Sequence, residues 1–225
     1  MSRQIELRLR ARGHGGWRAG AGRKPGPNPR IQHRSRAFAS ERHPRHVTLK
    51  VREDVPSLRS VCVVREIEES FRAGCRRDDF RLVHYSIQRD HLHVIVEASS
   101  AAALGRGMKS LGARLARVVN RTRSRRGPVL RDRYHVRVLR TPREVRNAIA
   151  YVLLNARKHA ARGNRPLPRA RVDPASSGRW FDGWRGRAPQ ALDLPAVAPA
   201  RTWLLRAGWR RAGRVGLTEV PGCEP

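Results

Sequence analysis

The residues best suited to chemistry are two histidines one residue apart, His91 and His93, in the stretch RDHLHVIVEA (89–98). Side chains alternate faces along a strand, so the two imidazoles share one face while Leu92, Val94 and Val96 take the other. Neutral imidazole is the commonest metal ligand near neutral pH, and two on one strand face make a bidentate start. They do not complete a site. The same pattern also fits two histidines on the wet face of a sheet. A second pair lies in YVLLN (151–155). Tyr151 and Asn155 are one helical turn apart, hence neighbours on one helix face. They flank the apolar stripe Val145, Ile149, Val152 and Ala156, which puts them at the edge of a helix–sheet contact where a cleft can form. The Asn155 amide is a candidate ligand. Of the other tyrosines, Tyr85 is predicted to face away from the histidines, and Tyr134 sits among Arg133 and Arg137.

The elements that must hold these residues are legible as hydrophobic periodicity. HVTLKV (46–51) alternates as a strand. PSLRSVCVVREIEESFRAG (56–74) repeats at helical spacing, with Pro56 in its first turn and Gly74 at its end. FRLVHYSIQ (80–88) and HLHVIVEA (91–98) read as a hairpin. A two-residue turn at Arg89-Asp90 sets Gln88 opposite His91, Ser86 opposite His93 and His84 opposite Ile95. Residues 101–126 form a basic helix, expected to break or weaken near Gly105 and Gly107. GPVLRDRYHVRVLR (127–140) gives a turn and a strand. TPREVRNAIAYVLLNARKHA (141–160) opens with Thr141 as N-cap, Pro142 at the first helical position and Glu144 completing a capping box. The order strand, helix, strand, strand, helix, strand, helix predicts an α+β domain with a mainly antiparallel sheet flanked by helices.

Around this core the composition shifts. Residues 1–44 form a basic arm with 11 Arg and Lys against two acids. Its GRKP stretch, including Arg23 and Lys24, resembles the core of a hook that lays arginine into a narrow minor groove. The domain proper spans 45–161. Residues 162–225 are rich in Arg, Pro and Trp, and the Trp residues there are expected to dock the extension onto the domain. Over 225 residues, 49 Arg and Lys oppose 18 acids, a net charge of +31. A GC-rich genome accounts for Arg over Lys but not for the shortage of acids. A charge this large self-repels unless a polyanion neutralises it, which makes nucleic acid the default partner. Three cysteines without paired spacing argue against a disulfide framework or a zinc ribbon. No apolar run is long enough to span a membrane. A reduced, cytoplasmic, nucleoid-associated setting is expected.

His-x-His followed by a helix carrying YVLLN resembles the single-tyrosine HUH transposases. The surrounding text, GAGRKP near the start and GPVLRDRYHVRVLRTPREVRNAIAYVLLNARKH in the second half, resembles their REP-associated branch, linked to bacterial palindromic repeats. The likeness covers about residues 15–160. SSGRWFDGW and RTWLLRAGWRRAG resemble a C-terminal extension found in some members. This resemblance implies the HUH (ferredoxin-like) fold and cleavage of one DNA strand through a 5′-phosphotyrosine intermediate. Tyr151 would be the nucleophile. His91, His93 and Asn155 would hold a divalent metal, Mg(II) or Mn(II) by family expectation, although the ligand set also permits Zn(II) or Co(II). Some relatives carry Gln in place of Asn155; many carry MPN where this chain has SIQRD. The expected partner is single-stranded or hairpin DNA, with monomer and homodimer both open. Arg114, Arg117, Arg121, Arg131, Arg133, Arg137 and Arg140, with Arg23 and Lys24, are candidate DNA-backbone contacts. The alternative is a nucleic-acid-binding protein that keeps the fold without the reaction.

Overall fold

A computed structural model describes residues 40–74, 77–163, 171–186 and 191–222. Arg23, Lys24 and nearly all of the basic arm lie outside them. The main sheet has four strands, β1 (Arg45–Lys50), β2 (Phe80–Ile87), β3 (His91–Ala98) and β4 (His135–Val138), in the order β2-β3-β1-β4. All pairings are antiparallel. The predicted hairpin register holds: Ser86 lies opposite His93 and His84 opposite Ile95, and Gln88 N–H donates to the His91 carbonyl at 2.8 Å. A bulge between Leu82 and His84 turns Val83 toward the face that carries Ile95. Extra residues of this kind re-aim a strand without ending it.

One face of the sheet is apolar. Val47, Leu49, Leu82, Tyr85, Ile87, Leu92, Val94 and Val96 pack there against α1 (Val61–Arg72) and α2 (Ala101–Thr122). The start of α1 differs from the sequence reading, which put Pro56 in its first turn. Leu58 is buried and its N–H donates to the Arg89 carbonyl at 2.9 Å, so this stretch braces the hairpin instead of entering the helix. Helix α2 is unbroken through Gly105 and Gly107. A Cβ at Gly107 would lie 2.2 Å from the Phe80 ring; glycine here thins the helix so that β2 can approach, and the expected break does not occur.

The other face carries α3 (Pro142–Leu153) and α4 (Asn155–Arg162). Thr141 Oγ1 accepts from Glu144 N–H at 3.2 Å and Glu144 Oε2 accepts from Thr141 N–H at 3.0 Å, the predicted capping box. The expected single helix is divided at Leu154, whose φ of −106° and ψ of 14° leave the helical region. Val152, Leu153, Leu154 and Asn155 are all buried. Four consecutive buried residues cannot share one helical stripe, and the C-terminal chain completes the core around Val152, Leu153 and Leu154. Short elements at β5 (Trp184–Arg185), α5 (Trp203–Arg206) and β6 (Val215–Gly216) bring Trp184, Leu204, Leu205 and Trp209 into one core with Ile149, Val152 and Ile95. The extension also covers the edge of β2: Ile87 N–H donates to the Ala175 carbonyl, Tyr85 N–H to Ser177 Oγ, and Ala198 N–H to the Leu82 carbonyl.

Candidate active site

His91 and His93 open β3, on the α3 side of the sheet. Their Nε2 atoms converge to 3.0 Å. Each ring is held through its other nitrogen. His91 Nδ1 lies 2.8 Å from Asp90 Oδ1; His93 Nδ1 lies 3.1 Å from Thr48 Oγ1 and 3.2 Å from His46 Nε2. Thr48 is there because β1 pairs with β3 on the side away from the hairpin, with Thr48 directly opposite His93. Such outer partners fix the tautomer of a ligating histidine and raise its basicity. Burial, followed by the nearby His46, His91, His159 and Lys158, pushes the His93 imidazole down to about 2, so it is neutral and keeps a lone pair. The hydrogen bond from His91 holds the Asp90 carboxyl below its ordinary range.

Tyr151 projects from the last turn of α3 toward this cluster. Its ring centroid is 5.1 Å from that of His93 and 5.6 Å from that of His46, both edge-on. Lys158 Nζ sits 4.4 Å from the Tyr151 ring centroid, a cation over a π face, and reaches the Gly222 carbonyl at 3.4 Å. Tyr151 is half-buried, as its edge position predicts. Asn155 is not at the edge. It is 1 % exposed, and both its Oδ1 and its Nδ2 are buried without a hydrogen-bond partner. A buried amide left in this state costs roughly 1–3 kcal/mol per group. It therefore calls for a partner that the protein itself does not supply. His159, one turn further along α4, brings its ring to 6.3 Å from His91.

Ligands at right angles on bonds of about 2.1 Å are about 3 Å apart, which the paired Nε2 atoms match. The unpartnered Asn155 amide is the second observation that fits a metal. Among the described residues, no group of three His, Cys, Asp or Glu could hold an ion, so a third ligand drawn from them would be of another kind.

The candidate DNA contacts are divided by the sheet. Arg114, Arg117 and Arg121 lie on α2, across the sheet from the histidines. Arg114 is half-buried and donates to the Ser70 carbonyl at 3.4 Å, and Arg121 pairs with Glu66. Arg137 stands opposite His46 in the β1–β4 pairing, hence on the histidine face, and lines a cavity with Tyr151. Arg131 pairs with Glu53 at 3.1 Å. Arg133 and Arg140 are exposed. Sequence reasoning missed His46, Thr48, Asp90, Lys158 and His159. His46 and Thr48 were readable only by asking which strand lies on the second side of β3.

Residues 41–152 match the family model described as Transposase IS200 like. The chain belongs to the IS200-like transposase family. No curated protein is significantly similar to this transposase. Two solved structures resemble it at 13 % identity. One is a REP-associated tyrosine transposase bound to a REP hairpin, with a TM-score of 0.45 over 57 % of this chain and 74 % of that one. The other is a transposase of Deinococcus radiodurans R1, with a TM-score of 0.37 over 61 % of this chain and 99 % of that one. No described helix of the transposase is long and apolar enough to cross a membrane.

Proposed function

We propose that this transposase cleaves and rejoins single-stranded, hairpin-forming DNA through a 5′-phosphotyrosine intermediate on Tyr151, and that it acts on palindromic repeats as the REP-associated branch does. The observation that carries the reading is the 3.0 Å convergence of the His91 and His93 Nε2 atoms with the Tyr151 ring beside them. His91, His93 and the Asn155 amide would hold Mg(II) or Mn(II). A bound divalent ion polarises the phosphodiester and stabilises the charge that develops on it. Neutral ligands suit an anionic substrate, since they leave the ion's positive charge undiminished.

The chain's own residues supply the rest. Tyr151 offers the phenol, held edge-on by His93 and His46 and capped by the Lys158 ammonium. Covalent attachment of the 5′-phosphate to the phenol stores the phosphodiester energy and leaves a free 3′-OH for rejoining. Thr48, His46 and Asp90 orient the two imidazoles. Arg131, Arg133, Arg137 and Arg140, with Arg23 and Lys24 of the arm, make sequence-independent backbone contacts, which supply most of the affinity. Arg117, exposed on α2, offers a contact from the other side of the sheet.

The test is a covalent-adduct assay. Labelled hairpin DNA with a single-stranded flank is incubated with the protein and Mn(II), then run on a denaturing gel. A labelled protein band is expected, and it should vanish with Tyr151→Phe. An adduct that persists in that variant refutes the nucleophile. DNA binding with no adduct under Mg(II), Mn(II), Zn(II) or Co(II) supports the non-catalytic alternative.

A further inference from the structure

Resting on that reading, we propose that the cavity beside His91 is a subsite for the nucleotide immediately 5′ of the cleaved phosphate, the one that leaves with the free 3′-OH. Two cavities flank the site. One, of about 310 Å³, is lined by Tyr151 and the arginines Arg137, Arg143 and Arg146. The other, of about 500 Å³, is lined by His91 and His159. Tyr151 borders the first and not the second; His91 borders the second and not the first. Displacement at phosphorus is in line, with nucleophile and leaving oxygen on opposite sides. If Tyr151 attacks from its own cavity, the departing O3′ and its nucleoside point toward the other.

The second cavity has the chemistry for a nucleotide. Its size falls within the roughly 300–1,000 Å³ common for small-ligand pockets. Its two acids are already engaged: Asp90 with His91, and Asp173 with Arg59 through two contacts of 2.7 and 2.9 Å. Arg89 and Arg171 are exposed on the same cavity. Among the described residues neither is paired with a carboxylate, whereas Arg52, Arg106, Arg121 and Arg125 all are. These two guanidiniums suit phosphate. Gln88 is a buried polar residue on the cavity, 4 % exposed. Its Nε2 donates to Ser86 Oγ at 2.6 Å, while its carbonyl oxygen has no partner among the described residues. An amide so placed reads a base edge. The subsite therefore couples a base preference to the strand that leaves and returns.

The step balances without any co-reactant. The Tyr151 Oη–phosphorus bond forms and the phosphorus–O3′ bond breaks; the phenolic proton passes to water, and the departing O3′ takes one from water. Rejoining is the reverse, and the subsite holds the 3′-OH in place for it.

The experiment uses the full chain. The cleaved phosphate is first mapped from the adduct. Hairpin DNA carrying 2-aminopurine immediately 5′ or immediately 3′ of that phosphate is then bound to Tyr151→Phe in Mg(II) and without metal. The 5′ probe should change its fluorescence on binding, and Arg171→Ala and Gln88→Leu should each remove most of that change. In rejoining by the Tyr151 adduct, the concentration of 3′-OH strand at half-maximal rate should be about tenfold higher for Arg171→Ala than for the wild type. A silent 5′ probe, or one indifferent to both substitutions, refutes the subsite while leaving the nucleophile assignment standing. Absence of any adduct from the wild type refutes both.

Discussion

The two faces of the sheet use the same strands for opposite purposes. Toward α1 and α2, β3 presents Leu92, Val94 and Val96, each fully buried among aliphatic neighbours. Toward α3 it presents His91, His93, Ile95 and Glu97. There Ile95 is the only aliphatic residue of the four, and Glu97 accepts from Arg201 N–H, Thr202 N–H and Thr202 Oγ1. Charge follows the same division. The arginines around the apolar face are largely tied to acids, as Arg106 is to Asp79, Arg121 to Glu66 and Arg125 to Asp54. The face with the imidazoles carries Asn155, whose amide is buried with no hydrogen-bond partner. One side spends its residues on stability and the other holds groups in readiness for a ligand, which is the usual division between a scaffold and a site.

Substitutions can break this comparison. Tyr151→Phe and His93→Ala should reduce adduct formation by at least about 10³-fold, by the scale seen when a nucleophile or its activating group is removed. Filter binding should meanwhile show single-strand affinity within about threefold, since phosphate contacts dominate it. A comparable loss of binding would mean that the imidazole face is structural. On the apolar face, Phe71→Ala should cost about 3–5 kcal/mol in chemical denaturation, with the adduct yield per folded molecule unchanged.

Acid should separate the faces further. Burial pushes His84 down to about 4 from an ordinary 6.5. Between those values the unfolded chain takes up a proton that the native one does not, so stability falls as pH drops from 6.5 toward 4, by up to about 3 kcal/mol. His84→Gln should reduce that slope in pH-dependent melts without abolishing it, because His93, pushed down to about 2, adds a loss of the same sign; an unchanged slope would place the acid sensitivity elsewhere. Thr48→Val removes a hydroxyl from His93 Nδ1 and should weaken metal binding about tenfold by calorimetry with little change in melting temperature. The smallest effect is expected from Arg121→Ala, whose exposed pairing with Glu66 should be worth less than about 1 kcal/mol.

How much of this was legible depended on the distance over which a pattern acts. The β2–β3 hairpin was readable to the residue from its turn as far as His84 and Ile95, because a two-residue turn and strict alternation leave one register; the bulge between Leu82 and His84, which shifts the rest, was not. The capping box at Thr141 was equally local. Helix α1 began later than its periodicity implied because Leu58 N–H serves Arg89, some thirty residues away in sequence, and no local pattern announces that. Gly107 of α2 was misread as a break because its reason, the Phe80 ring, lies on another element, while Gly105 simply faces open space within an unbroken helix. Half the candidate site was visible as His-x-His and Tyr-x-x-x-Asn. The other half, His46 and Thr48, sits in a strand whose alternation is satisfied by any polar residue at those positions. Only the pairing of β1 with β3 reveals them. The burial of Leu153 and Leu154 goes with a core that the C-terminal chain completes, and that chain has no periodicity to read.

That same chain has a consequence for synthesis. Tyr85 and Ser177, which meet at the edge of β2, are 92 residues apart in sequence. At about 5–20 residues per second, a ribosome needs roughly 5–18 s to pass from one to the other. Throughout that interval β2 is a nascent strand with an uncovered side, able to template pairing with a neighbouring chain on the same message. Ala175, Ser177 and Ala198 thus close an edge that the ribosome has left open behind them.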